Sequence, residues 1–109
     1  SKIDECIEMI DIGGPSLMRA AAKNFNDVTT ICDPKYYKKF IKDLRENGGN
    51  TSLSFRKQMS QKVFEHTSSY DKTISNWLNP ETNTLNSSKK MKLKYGENPN
   101  QKANIFFKK

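Results

Sequence analysis

The run Val28-Thr29-Thr30-Ile31-Cys32-Asp33-Pro34 decides the fold class. Its first five residues make a short run rich in β-branched side chains, bounded by Asp27 on one side and Asp33-Pro34 on the other, which predicts a largely buried strand. Upstream, Gly13-Gly14-Pro15 opens a segment of high helix propensity, Leu17-Met18-Arg19-Ala20-Ala21-Ala22-Lys23. Pro15 suits a first turn, where its missing N–H would be unpaired anyway, so the sequence predicts a helix over about 15–25. Downstream, Asp33 can cap a helix with Pro34 in its first turn. Tyr36, Tyr37, Phe40, Ile41 and Leu44 then form an apolar stripe, and Asn47-Gly48-Gly49 is a stop signal. Helix, strand, helix in this order is the pattern of an α/β layer fold. One clear strand does not make a sheet.

Working outward, Ile3, Ile7 and Ile10 recur at spacings of four and three, one face of a short helix or turn. From Ser52 onward Phe55, Met59, Val63, Phe64, Tyr70, Ile74, Trp77 and Leu78 keep helical spacing, predicting one long helix or two consecutive ones with Thr67-Ser68 as the weak point. Asn79-Pro80 ends that segment, and the polar stretch through Ser88 reads as a linker. Met91 to Tyr95 alternates apolar and basic residues, Gly96 to Asn100 is a turn, and Ala103 to Phe107 reads as a strand. No internal repeat is present.

With 109 residues, the chain has the length of one domain. A hydrophobic fraction of 34% against 28% charged residues gives a lean core. The net charge of +7 is concentrated in the tail: residues 87–109 hold seven lysines against Glu97, and the rest is close to neutral. Cys6 and Cys32 lack the spacing of a zinc or redox site and read as reduced, cytoplasmic thiols. The charged start Ser1-Lys2-Ile3-Asp4-Glu5 lacks a signal-peptide apolar region, and no apolar run approaches the roughly 20 residues of a membrane helix. The expectation is a protein of the cytoplasm, without membrane attachment, whose natural start lies upstream of Ser1.

Two glycines ahead of a helix let backbone N–H groups approach a ligand, and the helix start adds partial positive charge. Asp11 stands before this turn, with Arg19 and Lys23 beyond it. A carboxylate and an ammonium near one oxyanion-binding turn can share proton transfer and charge stabilisation. The plainer reading of the same residues is a turn, a cap and a solvated lysine. His66 has no second His or Cys at ligand spacing, so no metal site is expected. It reads as a packing or hydrogen-bonding residue of the helix, Trp77 with Ile74 and Leu78 as a core or interface stripe, and the lysines at 89–92 as a solvated edge.

The run from Ile10 through Asn24 resembles the IDIGG…RAAAKN segment of the inosine monophosphate cyclohydrolase domain of the bifunctional purine-biosynthesis family. The likeness continues through Val28 to Cys32, Thr51-Ser52-Leu53 with Arg56, Phe64-Glu65-His66-Thr67 and Tyr70-Asp71. It reaches Lys94-Tyr95-Gly96-Glu97-Asn98-Pro99-Asn100-Gln101, which is similar to the RYGENPHQ motif that opens the family's transformylase domain. The resemblance implies an α/β fold in three parts. Residues 1–79 would be the helix-rich C-terminal part of a methylglyoxal-synthase-like parallel-sheet domain, 80–91 a linker, and 92–109 the first strand region of the formyltransferase domain. It further implies Asp11 and Lys23 as catalytic residues of ring closure, Gly13 and Gly14 as backbone contacts to the nucleotide, and Lys94 and Tyr95 as substrate contacts of formyl transfer. The expected chemistry is formyl transfer from 10-formyltetrahydrofolate to aminoimidazole carboxamide ribonucleotide, then cyclising dehydration to inosine monophosphate. The expected partners are purine ribonucleotides, the folate co-substrate and a second copy of the chain, since the family is homodimeric. Lys94 stands where the family has Arg, keeping the charge but losing the bidentate fork. Asn100 stands where the family has His and lacks its acid–base chemistry. Neither site is complete in 109 residues, so the expectation is that they are inactive alone. The alternative reading is a small basic nucleic-acid-binding module, its lysine-rich tail on phosphates and Tyr95, Phe106 and Phe107 stacked on bases.

Overall fold

The computed structural model describes residues 2–83 and the backbone of 105–108. Helix α1 spans Lys2–Glu8, α2 Gly13–Lys23, strand β1 Val28–Ile31, a 3-10 turn Pro34–Tyr36, α3 Tyr37–Glu46, α4 Leu53–Leu78, α5 Pro80–Asn83 and strand β2 Ile105–Lys108. Helices dominate, and β1 lies against both α2 and α4, the arrangement of a partial α/β domain.

Each helix and strand predicted among the described residues forms, with shifted bounds, while the turn read at Gly96 to Asn100 lies outside them. Helix α2 starts two residues earlier than Pro15 and takes both glycines into its first turn. The Asp33 carboxylate accepts a hydrogen bond from the Lys35 N–H at 2.9 Å, so it caps the 3-10 turn that leads into α3. No residue of α3 is buried, and Ile41 stays largely exposed, so its apolar stripe covers the layer only at its edge. The stop at Asn47-Gly48-Gly49 works through backbone geometry: Gly48 and Gly49 adopt φ of 66° and 94°, and the Gly49 N–H closes onto the Leu44 carbonyl at 2.8 Å.

The segment from Ser52 is one unbroken 26-residue helix. Ser52 caps it, its hydroxyl accepting from the Phe55 N–H at 3.1 Å. The weak point at Thr67 is absorbed internally, because its hydroxyl donates to the Phe64 carbonyl at 3.2 Å. Phe55, Met59, Val63, Thr67, Tyr70 and Trp77 line the buried face. Phe64 and Leu78, read as part of that stripe, turn outward.

The core gathers Met18, Ala22, Cys32, Val63 and Tyr70, while a smaller cluster packs Cys6 and Trp77 with Ile74. Helix α1 therefore docks through Cys6, and Ile3 and Ile7, expected on one face, remain exposed. Both cysteines are free and buried. Thr29, Thr30 and Ile31 are all buried, so β1 is covered on both faces. The parallel sheet implied by the resemblance is not what forms among the described residues. β1 pairs with β2 in antiparallel register, Val28 opposite Lys108 and Ile31 opposite Ile105. A parallel partner needs a second strand after a crossover, and the described chain from Pro34 to Asn83 is helical or connecting. The linker read at 80–91 begins as the short helix α5, started by Asn79, whose side chain accepts from the Glu81 N–H at 3.0 Å.

Candidate functional site

Two antiparallel helices frame the site. At its C-terminal end, α2 presents carbonyls that lack partners within the helix, and α4 supplies donors for this region: Ser60 Oγ to the Ala22 carbonyl at 2.7 Å, and Arg56 Nε to the Phe25 carbonyl at 2.8 Å. Arg56 is 4% exposed and spends its other bonds on the Thr51 carbonyl and hydroxyl. Thr51 is bonded in turn to Thr29 of β1 at 2.8 Å. This network locks the helix pair to the strand without a carboxylate.

At the other end of α2 the Asp11 carboxylate turns back onto the helix start, Oδ1 accepting from the Gly14 N–H at 2.8 Å. That approach requires glycine, because a Cβ at Gly14 would stand 2.6 Å from Asp11 Oδ2. The Asp11 backbone is held too, its N–H donating to the Tyr70 hydroxyl at 2.9 Å. Oδ2 meets no hydrogen-bond donor among the described residues. Gly13 is exposed, and a Cβ there would meet nothing within 4 Å. The two glycines thus play different parts: Gly14 serves the cap with its N–H, and Gly13 keeps its backbone open to solvent. A groove of about 660 Å³ runs beside this turn, lined by Ile10, Ile12, Asp71, Ile74, Ser75, Leu78 and Asn79.

Lys23 is the last residue of α2 and exposed. Ten residues of helix at 1.5 Å each put it about 15 Å along the axis from Gly13. Asp11 thus stands just ahead of α2 and Lys23 at its far end. Ile12, Ser16, Arg19 and Lys23, at helical spacings of four, three and four, form a continuous exposed stripe between the two ends. The Arg19 guanidinium lies over the outward-facing Phe64 ring at 6.0 Å. Lys94, Tyr95 and Asn100 lie outside the described residues, as does the lysine-rich run on which the nucleic-acid reading depends. That reading gains no support.

His66 lies in a second, polar pocket of about 140 Å³ with Cys32, Asp33, Lys35, Tyr36, Lys62, Glu65 and Ser69. Burial lowers the His66 pKa against the opposing charge of Asp33, with Lys35 adding to the lowering. Burial also raises the Cys32 thiol, a direction that a hydrogen bond from its own backbone opposes. Both groups are favoured in their neutral forms, the reverse of a thiolate–imidazolium pair. Among the described residues no three His, Cys, Asp or Glu side chains gather as a metal site would require. No helix there is long and apolar enough to cross a membrane.

Sequence reasoning missed two residues at these helix ends. Tyr70 stands in the apolar stripe and in the family likeness without a role of its own, although a buried phenol needs a partner for its oxygen. Arg56, a charge between Phe55 and Met59, signals a buried network, since buried charges must be paired or fully bonded.

Helices packed over a strand, with a carboxylate pinned at a glycine turn, are the arrangement of a partial α/β domain. The family model for the AICARFT/IMPCHase bienzyme matches residues 21–109, and the chain belongs to that family. It is 46% identical over 100 residues to the bifunctional purine biosynthesis protein PurH of Trichormus variabilis, covering 91% of this chain and 20% of that protein. The PurH of Lactococcus lactis subsp. lactis is 48% identical over 111 aligned positions, 94% of this chain and 21% of its own length. That of Ruminiclostridium cellulolyticum is 44% identical over 115 aligned positions, 98% of this chain and 22% of its own. The chain thus spans about one fifth of the length of these curated relatives. No solved structure matches it.

Proposed function

We propose that these residues serve a two-activity enzyme of purine biosynthesis, which formylates aminoimidazole carboxamide ribonucleotide and closes the product to inosine monophosphate. Residues 1–79 would belong to the cyclohydrolase domain, with its methylglyoxal-synthase-like parallel sheet. Residues 80–91 would be the linker, and 92–109 the start of the formyltransferase domain. Family membership supports the pair of activities, and the pinned Asp11 carboxylate is the observation that carries the ring-closing half. Lys94 and Tyr95 would bind the ribonucleotide substrate of formyl transfer, for which 10-formyltetrahydrofolate would be the donor. The enzyme would work as a homodimer in the cytoplasm.

In ring closure the carboxamide nitrogen attacks the formyl carbon of the same substrate. The new N–C bond forms as the carbonyl oxygen takes a proton, and a hydroxyl and an N–H proton then leave as water. Such an intramolecular step needs orientation, proton transfer and a home for negative charge on oxygen. Asp11 has one oxygen committed to Gly14, which fixes its direction, and Oδ2 available to accept the nitrogen's proton and return it to the leaving hydroxyl. The exposed backbone of Gly13 at the positive end of α2 suits the developing oxyanion. About 15 Å of helix rise separates Gly13 from Lys23, so Lys23 would meet a different part of the substrate from Asp11. We assign Lys23 to substrate charge at the far end of the exposed stripe, and Gly14 to holding Asp11 rather than the nucleotide.

Asp11→Asn in the full-length enzyme tests this. Ring closure should fall by at least about 100-fold while formyl transfer persists. Normal cyclohydrolase turnover would remove Asp11 from the mechanism.

A further inference from the structure

We infer that Tyr70 is a positioning residue for the ring-closing reaction, acting through the backbone of Asp11. This rests on the role proposed for Asp11 above. Tyr70 lies 59 residues further along the chain, on the buried face of α4, its ring packed in the core with Met18, Ala22, Cys32 and Val63. Only its oxygen reaches the site, and that oxygen accepts the Asp11 N–H at 2.9 Å.

Asp11 is therefore fixed twice. The Gly14 N–H sets the direction of its carboxylate, and the Tyr70 hydroxyl sets where its backbone stands. The two anchors come from different helices, so together they define Oδ2 relative to both α2 and α4. Either alone leaves freedom: the cap without the phenol lets the connection between α1 and α2 slide over α4. The phenol without the cap lets the carboxylate rotate. A group that takes a proton from one atom and returns it to another must stay within a few tenths of an ångström of its productive position, and misplacement by about 1 Å can cost on the order of 100-fold in rate. Tyr70 touches no reacting atom in this arrangement. Its part is to hold the residue that does, at the edge of the groove lined by Ile10, Ile12 and its own neighbour Asp71.

Tyr70→Phe removes one oxygen and keeps the ring in the core. In the full-length enzyme it should lower kcat for ring closure about 10- to 100-fold. KM should change less than about 2-fold, because substrate contacts are retained. The formyl-transfer rate, measured on the same preparation, should be unchanged, which a general folding defect would not allow. 3-Fluorotyrosine at position 70 keeps the hydroxyl but weakens it as an acceptor, and should give a smaller loss in kcat with the packing intact. It also serves if Tyr70→Phe does not fold. Wild-type kcat for the folded variants, beside an inactive Asp11→Asn, would overturn the inference and leave the Asp11 role standing. Loss of formyl transfer in parallel with ring closure would also overturn it, by making Tyr70 merely structural. Wild-type turnover by Asp11→Asn would remove the underlying reading itself.

Discussion

Replacing each of two adjacent glycines by alanine should have opposite consequences. At Gly13 the added methyl meets nothing within 4 Å, and Gly→Ala in a helix typically stabilises by about 0.5–1 kcal/mol, chiefly by restricting the unfolded chain. At Gly14 the same methyl would stand 2.6 Å from Asp11 Oδ2, 3.2 Å from its carboxyl carbon and 3.3 Å from Oδ1. The carboxylate must swing away, breaking its 2.8 Å bond to the Gly14 N–H. Capping bonds of this kind are worth about 1 kcal/mol, which cancels the entropic gain. The two variants should therefore differ by about 1 kcal/mol, with Gly13→Ala above the parent and Gly14→Ala at or below it. For a chain of this size that is a shift of roughly 0.3–1 M in the urea midpoint. Trp77, the single tryptophan and 5% exposed, reports unfolding by fluorescence. In the full-length enzyme, Gly14→Ala should also slow ring closure by displacing Asp11, whereas Gly13→Ala keeps its backbone N–H and should retain most of the rate. Equal midpoints for the two variants would show that the carboxylate does not occupy the space over Gly14, and the reasoning would fail.

Other consequences can be checked on the same chain. Arg56→Lys leaves a charge at a 4%-exposed position without the fork that reaches Phe25 and Thr51, and should cost about 3 kcal/mol by urea unfolding. Burial lowers the His66 pKa in the fold, so the unfolded state binds the proton more readily. Stability should be full above about pH 6.5 and fall as pH drops through the lowered pKa, at no more than about 1.4 kcal/mol per pH unit from this group. His66→Gln should flatten the urea midpoint against pH between 5 and 7. Cys32, buried and with its thiol pushed up, should resist iodoacetamide at pH 8 in the native chain and react on unfolding, as peptide mass mapping would reveal.

Local chemistry made most of the fold readable. β-Branched residues at 28–31, the Asp33 cap, the glycines at 48 and 49 and the Ser52 cap each act over five residues or fewer, so the sequence carries their outcome on its own. What a residue faces depends on distant partners, and there the reading went astray. Ile3 and Ile7 looked like the buried side of α1, yet Cys6 is the residue that finds Trp77, because α4 reaches α1 from the other flank. The pairing of β1 with β2 spans more than seventy residues and leaves no trace in either segment. For the site, the Gly-Gly turn and Asp11 stood out by type and spacing. The different duties of the two glycines did not, since they depend on which N–H the carboxylate selects. Tyr70 was hidden for a similar reason: its oxygen serves a backbone group 59 residues away, and backbone groups have no letter in the sequence.

The two tethers between α2 and α4 act as the marks on a ruler. One joins Ala22 to Ser60 and the other joins Asp11, two residues ahead of α2, to Tyr70, and the ten residues between Ser60 and Tyr70 on α4 span about 15 Å at 1.5 Å each. Two tethers this far apart resist one helix creeping past its neighbour, because a slide along the axis strains both. The span from Asp11 to Lys23 is accordingly a fixed gauge, set by the chain before any ligand arrives. A ligand that uses both ends must have the length to match it.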